Sequence, residues 1–242
     1  MNNCMHCGAK LIYKSAPELM TCVYCEKEQP AAVFCVNGHF ICEECHGSEI
    51  QAVIEEFLLQ TSSADPLATA ELLLAHPKMP FLGREHHPVV AGSILAALKN
   101  HGQFQVRGKL KTIADEEIKE GIRRMWQIPS CSCAFQGACG AGLGVGAAFS
   151  VIYEATCAKD VERTLQMRAA NAVLEAIANL GGPGCCKQSV RTALEVAVEL
   201  LKEHFNVILP VKRSGDCRFP PQNSHGCKGV RCRYSIRNSQ AQ

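Results

Sequence analysis

Sixteen cysteines and nine histidines dominate the reactive side chains of this chain. Near the start they fall into an ordered series: Cys4-x2-Cys7, Cys22-x2-Cys25, Cys35-x3-His39 and Cys42-x2-Cys45, followed by His46. A Cys-x2-Cys pair makes a tight knuckle whose two thiolates face one ion, and two such pairs complete a tetrahedron. Gly8 and Gly38 let the backbone turn close to the sulfurs. Eight ligands (Cys4, Cys7, Cys22, Cys25, Cys35, His39, Cys42 and Cys45) make two sites, so two zinc ions are expected. The simplest pairing is sequential, Cys4, Cys7, Cys22 and Cys25 in one site, with Cys35, His39, Cys42 and Cys45 in the other. An interleaved pairing is equally allowed by the spacing.

Three further constellations lie in the body. GREHHPVV, residues 83–90, sets His86 and His87 before Pro88, which suits the first position of a helix. A helix start offers free N–H groups and partial positive charge, an anion site. CSCAFQGACGAGLGVG, residues 131–146, puts Cys131, Cys133 and Cys139 at the entry to a helix of small residues. Glycine at that density costs about 0.5–1 kcal/mol per residue relative to alanine, so something must need close backbone approach. A neighbouring helix or a bulky cofactor would do. NLGGPGCCKQSV, residues 179–190, stops one helix at its glycines and opens the next with Cys185, Cys186 and Lys187. The helix dipole and the adjacent lysine should make these thiols more acidic than free cysteine. Vicinal cysteines rarely give two ligands to one zinc ion, and a multi-iron cluster tolerates them better.

The elements that must carry these groups are mainly helical. Apolar periodicity starts a helix at Ser48, and Asp65-Pro66 starts a second that ends near His76-Pro77. Others are expected from Pro88 to about Asn100 and over roughly 114–126, 138–156, 158–180 and 185–205. Val207–Val211 reads as a short strand. The expected fold is mainly α: a helical-bundle body with a small N-terminal β-rich, zinc-ribbon-like or treble-clef-like module. The expected division is a zinc module at 1–47, a helical connector at 48–78, a helical domain at 79–210 and a basic cysteine-bearing tail at 211–242.

Composition limits what such a protein can do. Charge is near balance, 25 basic against 23 acidic residues, which argues against whole-molecule attraction to nucleic acid. The first 47 residues are mildly acidic, with 3 Lys and 5 Glu. Residues 211–242 hold 7 Lys/Arg and 1 Asp, net +6, but only Phe219 and Tyr234 could stack bases there. The sequence begins without a basic segment followed by an apolar one, and its Cys-x2-Cys spacing suits metal better than disulfides. A cytoplasmic location is therefore expected. The uncharged stretch between Arg124 and Glu154 contains Pro129, three cysteines and five glycines, too little apolar density for a membrane span.

Two resemblances arise at these residues. The Cys-x2-Cys head, CVNGHFICEECH (35–46), GREHHPVV, GACGAG (137–142), GGPGCCK (181–187) and the Cys217/Cys227/Cys232 tail together look like an uncharacterised cysteine-rich bacterial and archaeal family. Its members occur alone or fused to S-adenosylmethionine-dependent methyltransferases, which implies a methyltransferase-type partner. Residues 83–200 also resemble the catalytic domain of iron–sulfur L-serine dehydratases and cysteine desulfidases. That likeness implies a [4Fe–4S] cluster on three cysteines with one iron open. Cys139 and Cys186 match the first and last ligands. Cys185 matches the middle one at a shorter spacing, with Cys133 or a tail cysteine as its substitute. It further implies a lyase or dehydratase acting on a small molecule, with His86 or His87 as base and Lys187 or Arg84 holding an anionic group. The alternative is a non-enzymatic zinc module that serves as partner or adaptor. Cys22–Cys45 resembles the first six ligands of a RING domain, but no later Cys-x2-Cys closes that pattern.

Overall fold

A computed structural model describes residues 4, 9–23, 27–42, 48–212, 217, 219, 222–223 and 225–235. Cys7, Gly8, Cys25, Cys45 and His46 lie outside the described residues. The chain forms two compact units, Met1–Ala52 and Val53–Gln242.

In the smaller unit, β1 (Leu11–Thr21) pairs antiparallel with β2 (Glu28–Cys35), from Leu11 opposite Cys35 to Thr21 opposite Glu28. The register shifts between Tyr13 and Glu18. Its core is slight: Cys22, Ala31, Phe34, Phe40 and Cys42, flanked by Ile12, Met20 and Ile41. Two of those five are cysteines, so little apolar surface is available to hold the fold.

The larger unit is helical, with α1 (Ser48–Gln60) running into it from the smaller one. Then follow α2 (Pro66–Leu74), α3 (His86–His101), α4 (Asp115–Trp126), α5 (Ser132–Phe135), α6 (Gly140–Ile152), α7 (Asp160–Ala178) and α8 (Cys186–Phe205). The protein is thus mainly helical, as the periodicity predicts. Local chemistry sets several boundaries. Asp65 caps α2, its Oδ1 accepting from the N–H groups of Leu67 (2.9 Å) and Ala68 (3.0 Å). Its Oδ2 accepts from the Lys212 N–H at 2.7 Å, which ties the segment after α8 back to α2. On α4, Ile118, Gly121, Ile122 and Met125 are buried at helical spacing. Acidic residues fill its first turn and Arg123 and Arg124 its last, complementing the dipole.

The core centres on α3 and α6. Every residue of α3 from His86 to Leu98 is buried. α6 lies against α3 on one side and α7 on the other, and its glycines are the reason. A Cβ on Gly140 would stand 2.3 Å from the His87 ring, and one on Gly144 3.0 Å from Val90 of α3. On the opposite face, Gly142 and Gly146 meet Leu174 and Ala170 of α7 at 2.6 and 2.9 Å. Close helix packing therefore accounts for the small-residue stretch. At the far end of α6, Phe149 is fully buried among Tyr153, His204 and Phe205.

Two local expectations are corrected. α3 begins at His86, so both histidines lie in its first turn and Pro88 is its third residue, not its first. Residues 207–211 form no strand. Val207 and Leu209 are buried and Ile208 is exposed, an alternation without a ladder partner. Instead β3 (Phe104–Val106) and β4 (Lys109–Lys111) form a hairpin. Its turn residues Arg107 and Gly108 both have positive φ, 50° and 79°, the signature of a tight two-residue turn.

Candidate functional sites

In the smaller unit, the Cys35–His39 segment is a knuckle. The Cys35 N–H donates to the His39 carbonyl at 3.0 Å and the Gly38 N–H to the Cys35 carbonyl at 2.8 Å. Gly38 has φ +78°, which a side chain would resist. The His39 N–H points at Cys35 Sγ from 3.4 Å, and His39 Nδ1 stands 3.5 Å from the same sulfur. Cys4 completes the group: a ligand atom from each of Cys4, Cys35 and His39 lies within 4.8 Å of the others. Cys22 and Cys42 approach one another separately, with the Cys42 N–H donating to Cys22 Sγ at 3.3 Å. Among the described residues the candidate ligands thus lie together in the interleaved order rather than the sequential one. Antiparallel pairing explains it, because setting Leu11 opposite Cys35 brings the N-terminal cysteine to the β2 knuckle.

In the larger unit, three thiols share a neighbourhood with the histidine pair. Cys139 precedes α6 in an extended conformation (φ −69°, ψ 127°) and makes no side-chain capping bond. Cys186 is the first residue of α8, and Cys133 lies in the one-turn helix α5. The Cys186 thiol is pushed up to about 12, first by burial and then by charge on Cys139, Cys185 and Cys133, with a backbone hydrogen bond from Gly83 opposing. Burial likewise pushes Cys133 up, with charge on Cys139 and Cys131 adding to it, although a hydrogen bond at Ala134 opposes. Cys185 is also raised, chiefly by burial. The expected acidification of Cys185 and Cys186 is therefore overturned. Desolvation outweighs the helix dipole and Lys187.

The histidines are buried and each has a ring nitrogen without a partner: Nε2 of His86 and Nδ1 of His87. His86 Nδ1 lies 3.1 Å from the Gly83 carbonyl. A carbonyl only accepts, so this bond sets the proton on Nδ1 and leaves a lone pair on Nε2. Burial holds the His86 pKa well below the usual histidine value, and the Lys187 charge helps. His87 is lowered to about 4, mainly by burial. Its ring packs on Gly140, the residue after Cys139.

Lys187 is 1% exposed. Its Nζ donates to the Leu74 carbonyl at 2.8 Å and lies 4.7 Å from the Phe219 ring centre. Burial lowers it to about 8, against the pull of Cys186 and Cys185. Arg84 is partly exposed and stacks over Trp126 at 5.7 Å. Cys185 belongs to a different setting, a cavity it lines with Cys217, Cys227 and Cys232. Phe219 and Tyr234 are buried, against Lys187 and Arg191, so neither is available to stack bases. Sequence reasoning missed the Gly83 backbone and Arg191, whose roles depend on contacts across the helices. No described helix is long and apolar enough to cross a membrane.

The chain belongs to a family of unknown function, DUF5714, whose model matches residues 54–235. No curated protein and no solved structure matches it.

Proposed function

We propose that the larger unit is an iron–sulfur lyase-like enzyme for a small molecule, with Cys133, Cys139 and Cys186 as cluster ligands. The observation that carries this reading is the convergence of these thiols, by their mutual electrostatic influence, beside a buried histidine pair with unpartnered nitrogens. The donor set fits such a group. Thiolates around one tetrahedral zinc stand at about 3.8 Å, given bonds of about 2.3 Å. Among the described residues only Cys4, Cys35 and His39 bring three such ligand atoms within 4.8 Å of one another. A cluster held by three thiolates supplies an open iron, a Lewis acid toward a hydroxyl, thiol or carboxylate.

The protein's own groups then divide the work. His86, neutral and with its tautomer fixed by Gly83, accepts a proton at Nε2. His87 closes the α6 side and keeps that end of the site dry. Lys187 is anchored to Leu74, so it contributes positive charge beside Cys186 without moving. Arg84, less buried, is the group left to hold a substrate anion. Anaerobic reconstitution with ferrous iron and sulfide should give a broad charge-transfer absorption that Cys139→Ala diminishes, with a matching loss of bound iron and sulfide. A colourless, iron-free protein after that treatment overturns the assignment.

The smaller unit carries a second reading, favoured by the Cys4, Cys35 and His39 grouping. It is a structural zinc module with interleaved sites, Cys4, Cys7, Cys35 and His39 in one, and Cys22, Cys25, Cys42 and Cys45 in the other. On this reading the chain acts in the cytoplasm as partner or adaptor to a methyltransferase-type enzyme. Zinc with no iron or labile sulfide in the anaerobically purified full chain would favour it over the enzyme.

A further inference from the structure

Cys185 and Cys186 are adjacent in sequence yet serve different surroundings. Cys185 is extended (φ −144°, ψ 101°) while Cys186 begins α8, so their side chains diverge. Cys186 belongs with Cys133 and Cys139. Cys185 instead lines a cavity of about 460 Å³ with Cys217, Cys227 and Cys232. Four thiols in one cavity, three of them from the segment after α8, is a large concentration of sulfur that the site at Cys139 does not use.

Hydrogen-bond donors meet the sulfurs of this cavity. Gln188 Nε2 donates to Cys232 Sγ at 3.4 Å, and the Gly229 N–H donates to Cys227 Sγ at 3.4 Å. Arg191 lines the same cavity as Cys217, and its guanidinium is electrostatically coupled to that sulfur. N–H···S bonds of this kind orient and stabilise sulfur ligands around a metal centre. Lys228 Nζ donates to Gln188 Oε1 at 2.8 Å, which turns the amide so that its NH2 faces the sulfur. Arg191 and Lys228 both line the cavity and offset the negative charge that thiolates bring. The Cys217 N–H donates to the Tyr234 carbonyl at 3.0 Å, closing the segment into a loop. The four sulfurs are not drawn to the spacing of a single tetrahedral ion.

We propose that Cys185, Cys217, Cys227 and Cys232 hold a second iron–sulfur cluster, ligated entirely by protein thiolates. With four thiolate ligands no iron is left open, so this cluster takes no substrate. It clamps Cys217 and residues 225–235 onto the start of α8. The inference uses none of the ligands of the proposed catalytic site and stands independently of it.

The test is anaerobic reconstitution of the full chain with ferrous iron and sulfide, followed by counting both. The double variant Cys217→Ser/Cys232→Ser should lose about four irons and about four sulfides per chain relative to the unmodified protein. Cys139→Ala should leave that portion in place, so failure of the catalytic assignment would be visible separately. Thiol alkylation read by mass spectrometry gives a measurement that needs no variant. The cluster should protect Cys185, Cys217, Cys227 and Cys232 in the loaded protein, and all four should react after iron removal. Unchanged iron and sulfide in the double variant, or full alkylation of the four thiols in the loaded protein, overturns the proposal.

Discussion

In residues 9–42 the sulfur of Cys35 is gripped by a tight turn and meets Cys4 and His39 within 4.8 Å, over a core of five side chains. In the larger unit the clustered sulfurs come from four segments: α5, the start of α6, the start of α8 and the chain after it. There a broad apolar core, from Val89 on α3 to Phe205 on α8, already holds the helices. The difference is one of order. A small strand pair without enough apolar surface needs its ligands to fold, whereas a helical core can fold first and then hold its thiols at chosen places.

The largest effect that would sharpen this contrast is metal removal. Structural zinc contributes about 10–16 kcal/mol of apparent binding free energy in small zinc domains. Chelation should collapse the amide spectrum of residues 9–42 and leave the emission of Trp126, the single tryptophan, unchanged. Loss of both signals together would break the comparison. Next in size is Phe149→Ala in the helical core, expected to cost about 3–5 kcal/mol. Calorimetry should show it in the melting of the larger unit, with zinc content untouched. Gly140→Ala drives a methyl into the His87 ring and should cost about 1–3 kcal/mol. At about 2–4 °C per kcal/mol for a unit of this size, it should lower the melting temperature by several degrees. The same variant should weaken iron loading if His87 helps enclose the site.

The smallest effect comes from a surface pair. Hydrogen bonds from Arg123 and Arg124 hold the Glu120 carboxyl down at about 2. A carboxylate lowered in the native state adds stability above its ordinary value of 4.5 and loses it as pH falls toward about 2. Because the pair is exposed, solvent screens it. Glu120→Gln should leave melting above about pH 5 nearly unchanged and flatten the acid limb only slightly. A large change would mean that surface charge, not the apolar core, holds the helices.

Much of the helical scaffold is legible in the residues themselves. The caps and periodicity of 65–74, 115–126 and 186–205 predict α2, α4 and α8 to within a few positions. The β3–β4 hairpin is not so legible, because its turn pair Arg107-Gly108 lacks the usual Asn-Gly signal and its strands have three residues each. Val207–Val211 misleads in the opposite sense, since alternation records burial on one side and says nothing of a pairing neighbour. Which candidate ligands of the head lie together is invisible to spacing and follows from strand register. The acidity of Cys185 and Cys186 misreads for a related reason: the helix start is visible in sequence, but the burial that overrides it is a product of the folded packing, and the charge on Cys139 and Cys133 that adds to it at Cys186 comes from far along the chain.

The glycines of α6 also limit how this protein can change over generations. Gly140 and Gly144 form one bare seam and Gly142 and Gly146 another, facing opposite neighbours. An added carbon at Gly140, Gly142 or Gly146 comes closer than 3.0 Å to α3 or α7 and at Gly144 sits 3.0 Å from Val90, and relief on one seam would press the helix into the other. Random drift is therefore shut out at alternate positions of this helix, and its history should be written in the residues around those four rather than in the four themselves.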